Sequence, residues 1–228
     1  MVRIRFGKFL VIASLLVIGI SSCSKKEVEV TALEMGYSYF PIDSGIVKIY
    51  QVDSISYNDN TQKIDTFQFI LKEEFAGIAQ SEGEENHRII KRSVQFPNTQ
   101  SWEPRSSTFV LATAQNLQQV IENQRIIKLV FPVGQAQSWN GNAYNSLGRR
   151  NFTWQKVFAS HPVFDSIYSP SLSVLEANIN NFVEEVFTSS TYAKNIGLIE
   201  FQHTNLNKQA SGINGYKIHY KLITYIKP

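Results

Sequence analysis

The sequence predicts an all-β protein: one domain of mainly antiparallel, curved sheet with a half-barrel or barrel-like form. Three observations predict it. From Tyr37 onward the dominant hydrophobic period is two, which suits strands with one buried face. Short clusters of Asn, Asp, Gly and Pro interrupt that alternation repeatedly, as hairpins require. The first three strand-like runs follow one another with no helical insert, which disfavours the alternating layout of a parallel sheet.

The opening segment stands apart from that domain. Arg3, Arg5 and Lys8 precede the apolar run Phe9 to Ile20, and the small residues Ser21 and Ser22 follow, so residues 1–22 read as a secretory signal peptide. The apolar run is too short to span a bilayer, which takes ~20 residues. Removing residues 1–22 takes away three basic residues and no acid, so Lys+Arg falls from 22 to 19 and matches the 19 Asp+Glu. The sequence pI of 8.9 therefore reflects the leader, and a neutral mature chain offers no excess of cationic side chains for nucleic acid. The single cysteine, Cys23, excludes an intramolecular disulfide. An exported chain of this size must be held by its core, and a domain of about 200 residues buries roughly 70% of its unfolded surface.

Ile20-Ser21-Ser22-Cys23 resembles the bacterial lipobox, with Ile20 where Leu is usual. The resemblance implies acylation of Cys23, palmitate among the chains, and an anchor in the cell envelope, with the outer membrane as the expected site and its periplasmic or surface face left open. Two or more acyl chains make such an anchor stable, each CH₂ contributing ~0.8 kcal/mol. Residues 23–32 then form the lipidated cysteine and tether, and residues 33–228 the β-rich globular domain. Lys25-Lys26-Glu27 resembles a surface-export signal weakly and equally suits a solvated spacer.

Within the domain, Val47 to Tyr57 mixes β-branched and aromatic residues with polar ones and ends at the turn Asn58-Asp59-Asn60. Thr66 to Phe75 sets Phe67, Phe69 and Leu71 on one face. After the turn Ser81 to Asn86, the run Arg88 to Phe96 groups Ile90, Arg92, Val94 and Phe96, and Pro97 stops it. Ser107 to Thr113, Leu117 to Glu122 and Arg125 to Phe131 continue the series, with a tight turn at Asn123-Gln124. Leu172 to Val186 contests the pattern, since Leu172, Leu175, Ile179, Phe182, Val183 and Val186 fit a helical face. Asn178, Asn180 and Asn181 are poor helix residues and favour a hairpin of Ser171–Ala177 and Phe182–Tyr192. A further turn at Lys194 to Gly197 leads into Leu198–Thr204. At the C-terminus, Tyr216, Ile218, Tyr220, Leu222, Thr224 and Ile226 share one face and Lys217, His219, Lys221, Ile223, Tyr225 and Lys227 the other. That basic row reads as a solvated face or as protection of a sheet edge.

Three blocks carry a family resemblance: Tyr39-Phe40-Pro41-Ile42-Asp43-Ser44-Gly45, then Leu129 to Val133 with Trp139 to Asn145, and Tyr192 to Ile199. They resemble turn-forming blocks of a group of Bacteroidota lipoproteins. The resemblance implies a curved antiparallel sheet, similar to the half-barrels of lipoprotein carriers, and no assigned chemistry. Physically, Pro41 and Pro132 punctuate strands because proline cannot donate to a ladder.

Signals for chemistry are sparse. His87, His161, His203 and His219 lack metal-ligand spacing, so no metal or other cofactor is expected. No nucleophile elbow or phosphate-cradling loop occurs, and Glu73-Glu74, Glu82, Glu84, Glu85 and Glu184-Glu185 read as solvated charges, so no catalytic residue is named and a non-enzymatic role is expected. Asp53-Ser54-Ile55 and Asp165-Ser166-Ile167 resemble O-glycosylation acceptors of Bacteroidota, which makes Ser54 and Ser166 candidate modification sites. Trp102, Trp139 and Trp154, with ten Tyr and fifteen Phe, suit core packing, a platform for a glycan, or an apolar cavity. The leading expectation is a lipid-anchored protein whose concave sheet face binds an apolar or amphipathic ligand. The alternative is a structural or assembly lipoprotein with a filled core and an exposed apolar patch.

Overall fold

In a computed structural model, residues 34–79, 87–136 and 138–228 are described. The signal, Cys23, the tether and the turn at 81–86 lie outside them. The described residues form twelve strands: β1 (Val47–Asn58), β2 (Lys63–Ala79), β3 (His87–Gln95), β4 (Glu103–Ala112), β5 (Asn116–Ile121), β6 (Gln124–Val130), β7 (Ser138–Asn140), β8 (Asn151–Val163), β9 (Ser166–Asn180), β10 (Glu184–Ala193), β11 (Gly197–Gln209) and β12 (Gly212–Ile226). Among the described residues the helical content is one 3₁₀ turn, Tyr37–Tyr39. None of those residues forms a helix long and apolar enough to cross a membrane.

The strands make one antiparallel sheet in the order β6-β5-β4-β3-β2-β1-β12-β11-β10-β9-β8-β7. Two meanders, β1 to β6 and β7 to β12, are thus joined through the pairing of the first strand with the last. β12 is consequently central, and its basic row does not guard an edge. The true edges, β6 and β7, nearly meet. Ile127 N–H donates to the Gly141 carbonyl at 2.8 Å, and Trp139 Nε1 donates to the Ile127 carbonyl at 3.0 Å. A nearly closed barrel results, which leaves little free strand edge.

Bulges supply the curvature. In β6, Leu117 faces Leu129 and Gln118 faces Ile127, so Lys128 is the extra residue. In β9 the extra residue is Glu176, and in β12 it is Ile223. The last of these changes the phase of the C-terminal strand. Tyr216 to Leu222 alternate as the sequence predicts, but Tyr225 comes to sit opposite Lys48 and packs with the core. The contested stretch is β9, a turn and β10, as the asparagines indicate. The turn between β5 and β6 falls at Glu122-Asn123, both with positive φ, one residue earlier than the sequence suggests.

The barrel interior is packed. Phe75, Ile90, Val110 and Leu117 of β2 to β5 share one core cluster with Phe152, Leu172, Val174 and Tyr192 of β8 to β10. These strands are distant in sheet order, so the contacts cross the interior. In a second cluster Tyr50, Val52, Leu71, Val94 and Leu222 pack with Ala193 and Ile199, and Val163 of the β8–β9 hairpin joins them. Side chains of the first cluster therefore occupy the concave face between β2–β5 and β8–β10. The far part of the β8–β9 hairpin reaches over the outer face, bringing His161 to Glu200 on β11 and Phe164 to Lys221 on β12.

Candidate functional site: a cleft where three sequence blocks meet

The segment before β1 acts as a hub at one end of the barrel. Gly36 takes φ +87°, and a Cβ there would lie 2.3 Å from a Val133 methyl, so only glycine allows the approach. Val133 N–H donates to the Met35 carbonyl, and the Tyr37 ring stands edge-on to Phe131 at 4.8 Å. On the other side Asn195 N–H donates to the Ser38 carbonyl at 2.7 Å, and Lys194 pairs with Glu34 at 2.6 Å. The blocks at 39–45, 129–133 and 192–199 thus converge, although about 60 to 90 residues separate each from the next.

Between them lies an open cleft of about 620 Å³, within the range of small-molecule sites. Tyr37, Phe40, Pro41, Ile42, Leu117 and Phe131 give it apolar walls, while Ser38, Asp43, Asn195 and Lys227 supply polar atoms. Behind the Phe40 wall sits Lys48 of β1, fully buried, its Nζ 5.0 Å from the ring centroids of both Phe40 and Phe75. Burial lowers its pKa to about 8, with Glu73 acting in the opposite direction. Glu73 does not bond it. That carboxylate instead accepts bonds from Arg92 Nε at 2.8 Å and Nη2 at 2.6 Å, so the charge expected to be solvated is buried and paired.

Among the described residues six buried side-chain atoms have no hydrogen-bond partner, and three of them bear on this end: Ser38 Oγ of the cleft lining, and Lys48 Nζ and Tyr225 OH of the β1–β12 pair. Tyr225 is the register partner of Lys48. Its phenol pKa is raised by burial and by the Asp43 carboxylate of the cleft rim. Sequence reading misses Lys48, yet its signal is present, since Lys48 shares the inward phase of Tyr50 and Val52.

Other expected residues are scattered. Ser54 lies half-buried in mid-strand β1, between Phe67 and Ile218 in register, whereas Ser166 is exposed where the β8–β9 turn ends. Trp139 and Trp154 pack 5.0 Å apart at the barrel seam, and Trp102 lies under the Lys72 ammonium at 5.1 Å. His161 and His219 both bond Glu200, at 2.6 and 2.7 Å, and His203 bonds Thr188 at 2.8 Å. Among the described residues no group of three His, Cys, Asp or Glu is arranged to hold a metal ion. Most of the basic row has acidic partners: Lys217 pairs with Glu185 and Lys221 with Asp53, while His219 Nε2 hydrogen-bonds the Glu200 carboxylate.

No family model matches the chain, and no curated protein matches it either. Two solved structures are similar in fold. One is a proposed exported protein with a YmcC-like fold from Bacteroides fragilis, at 8% identity and TM-score 0.44, covering 82% of this chain and 98% of that one. The other is a proposed lipoprotein from Parabacteroides distasonis, at 8% identity and TM-score 0.38, covering 81% and 98%. At this distance neither bears on the chemistry of the cleft.

Proposed function

We propose that this chain is a lipid-anchored lipoprotein of the cell envelope, held at the outer membrane through Cys23, whose non-enzymatic barrel binds an apolar or amphipathic molecule. The observation that carries the binding role is the aromatic-walled cleft of about 620 Å³ at the end where the chain enters the barrel. The signal and lipobox support the anchor. The concave face expected from the sequence is packed, so the reading rests on the cleft at this end instead. Burying ~400 Å² of apolar ligand at ~25 cal/mol per Å² yields ~10 kcal/mol before the costs of association.

A second reading has its own observation. Phe182 is fully exposed and Val183 65% exposed in the β9–β10 turn, an apolar tip suited to contact another protein. The two readings separate on one titration. A hydrophobic fluorescent probe, N-phenylnaphthylamine, should bind the purified chain saturably, and Phe131→Ala with Tyr37→Ala should weaken it about tenfold, while Phe182→Ser leaves it unchanged. Binding that does not saturate, or ignores the cleft substitutions, favours the assembly role.

A further inference from the structure

We infer that the cleft is built for an amphipathic molecule with a carboxylate head, met by the Lys48 ammonium and the Ser38 and Tyr225 hydroxyls. The inference rests on the cleft reading above and gives its ligand a chemical class. Buried polar groups in folded proteins nearly always have partners, so several orphans gathered in one place indicate an absent one. Here the orphans are Ser38 Oγ, Lys48 Nζ and Tyr225 OH, and all three can donate. A carboxylate, which only accepts and has room for several bonds on two oxygens, complements that set. An alcohol head would satisfy fewer donors and leave the ammonium without a counter-charge.

The placement is consistent with a head group entering from the cleft. A Cβ built on Gly197 would lie 2.3 Å from Lys48 Nζ and 3.5 Å from Cδ of Pro41, so the ammonium lies directly behind a cleft-lining residue. Phe40 also lines the cleft and carries the ammonium against its ring, which makes that ring the partition. Rotation of Phe40 would open Lys48 to the cleft. Charge points the same way. Lys48 Nζ has no hydrogen-bond partner, because the neighbouring Glu73 carboxylate is committed to Arg92. A monoanionic head would supply the missing counter-charge. The apolar walls of Tyr37, Ile42 and Phe131 would take the alkyl chain.

The test is displacement of N-phenylnaphthylamine from the full chain carrying Cys23→Ser, so that its own acyl groups do not compete. The displacing ligands are dodecanoate, dodecanol and dodecyltrimethylammonium. Dodecanoate should bind tightest, and Lys48→Met should weaken it about 10- to 100-fold, the range for a hydrogen bond to a charged group, while dodecanol is unaffected. Ser38→Ala should weaken dodecanoate by a smaller factor. Equal affinity for acid and alcohol, or unchanged dodecanoate binding in Lys48→Met, would overturn the head-group assignment and leave the cleft reading standing. Failure of all three ligands and of the probe to bind would overturn the cleft reading itself.

Discussion

Lys48 and Lys128 are two buried lysines of one barrel, and their surroundings differ. Lys128, the bulged residue of β6, forms an ion pair with Glu176, the bulged residue of β9, and Glu176 also accepts a bond from Ser190 Oγ at 2.6 Å. Lys48 has two aromatic rings and no acceptor. The first arrangement is complete within the chain. Both of its charges are re-aimed inward by bulges in strands on either side of the barrel seam, and each satisfies the other. The second is incomplete, and its position behind the cleft suggests why. A barrel that pairs one buried lysine leaves another unpaired behind the Phe40 wall of its cleft.

The largest expected effect comes from breaking the complete site. Glu176→Ala leaves the Lys128 ammonium buried without its counter-charge, and the cost should be about 3–5 kcal/mol in chemical denaturation. Joint replacement, Lys128→Met with Glu176→Leu, should recover most of that loss because two apolar groups can occupy the space. A loss below about 1 kcal/mol in the single variant would show that solvent reaches Lys128, and the contrast with Lys48 would collapse.

The opposite sign is expected at Lys48. A lysine at about 8 when folded, against 10.5 ordinarily, destabilises the fold by about 3 kcal/mol wherever it must be charged. Lys48→Met should therefore be more stable than the native chain by about 2–3 kcal/mol at pH 7. The sign of the pH dependence follows from proton uptake. The folded state releases the proton above pH 8, while the unfolded state keeps it up to about 10.5. The penalty is thus full below pH 8 and fades between 8 and 10.5, so the two proteins should converge over that window. The buried tyrosines, including Tyr50 and Tyr192, have raised pKa values, chiefly from burial, and lose stability above about pH 10 in both proteins alike. A constant gap from pH 7 to pH 9.5 would mean that Lys48 already has a partner.

These residues also mark how far the sequence is legible. Period-two reading locates ten of the twelve strands and gives the inward phase of Phe69, Leu71, Ile90, Arg92 and Val94 correctly. In that phase Lys48 and Glu73 are inward too. Glu73 reads as solvated only because the neighbouring Glu74 offers an equally polar outward position. Bulges are a different matter. Nothing in the local pattern announces that Lys128, Glu176 or Ile223 is supernumerary, because a bulge is defined by the partner strand. The same limit hides β8, where register shifts near Gln155, Phe158 and Ser160 erase the alternation, and β7, which has three residues. The cleft is legible as three separate turn blocks, but their meeting depends on the pairing of β1 with β12, which closes the chain's two meanders into one sheet.

The smallest effect is expected from a third ionic cluster, on the outer face. Glu200 lies between His161 and His219, with side chains 16%, 17% and 32% exposed, and nearby Lys221 pairs with Asp53. Burial alone would raise the pKa of Glu200, but hydrogen bonds from His219 and His161 outweigh it and hold the carboxyl below its ordinary 4.5. A carboxylate with a depressed folded pKa stabilises above its unfolded value and loses that contribution as pH falls through the folded one. Glu200→Gln should therefore cost under about 1 kcal/mol near neutrality, because solvent screens a partly exposed cluster. The native chain should approach the variant in stability as pH drops below about 4.5. Denaturation of both between pH 3 and pH 7 measures this. A loss as large as that of Glu176→Ala would show that pinning the β8–β9 hairpin, rather than burial of charge, decides what an ion pair contributes in this barrel.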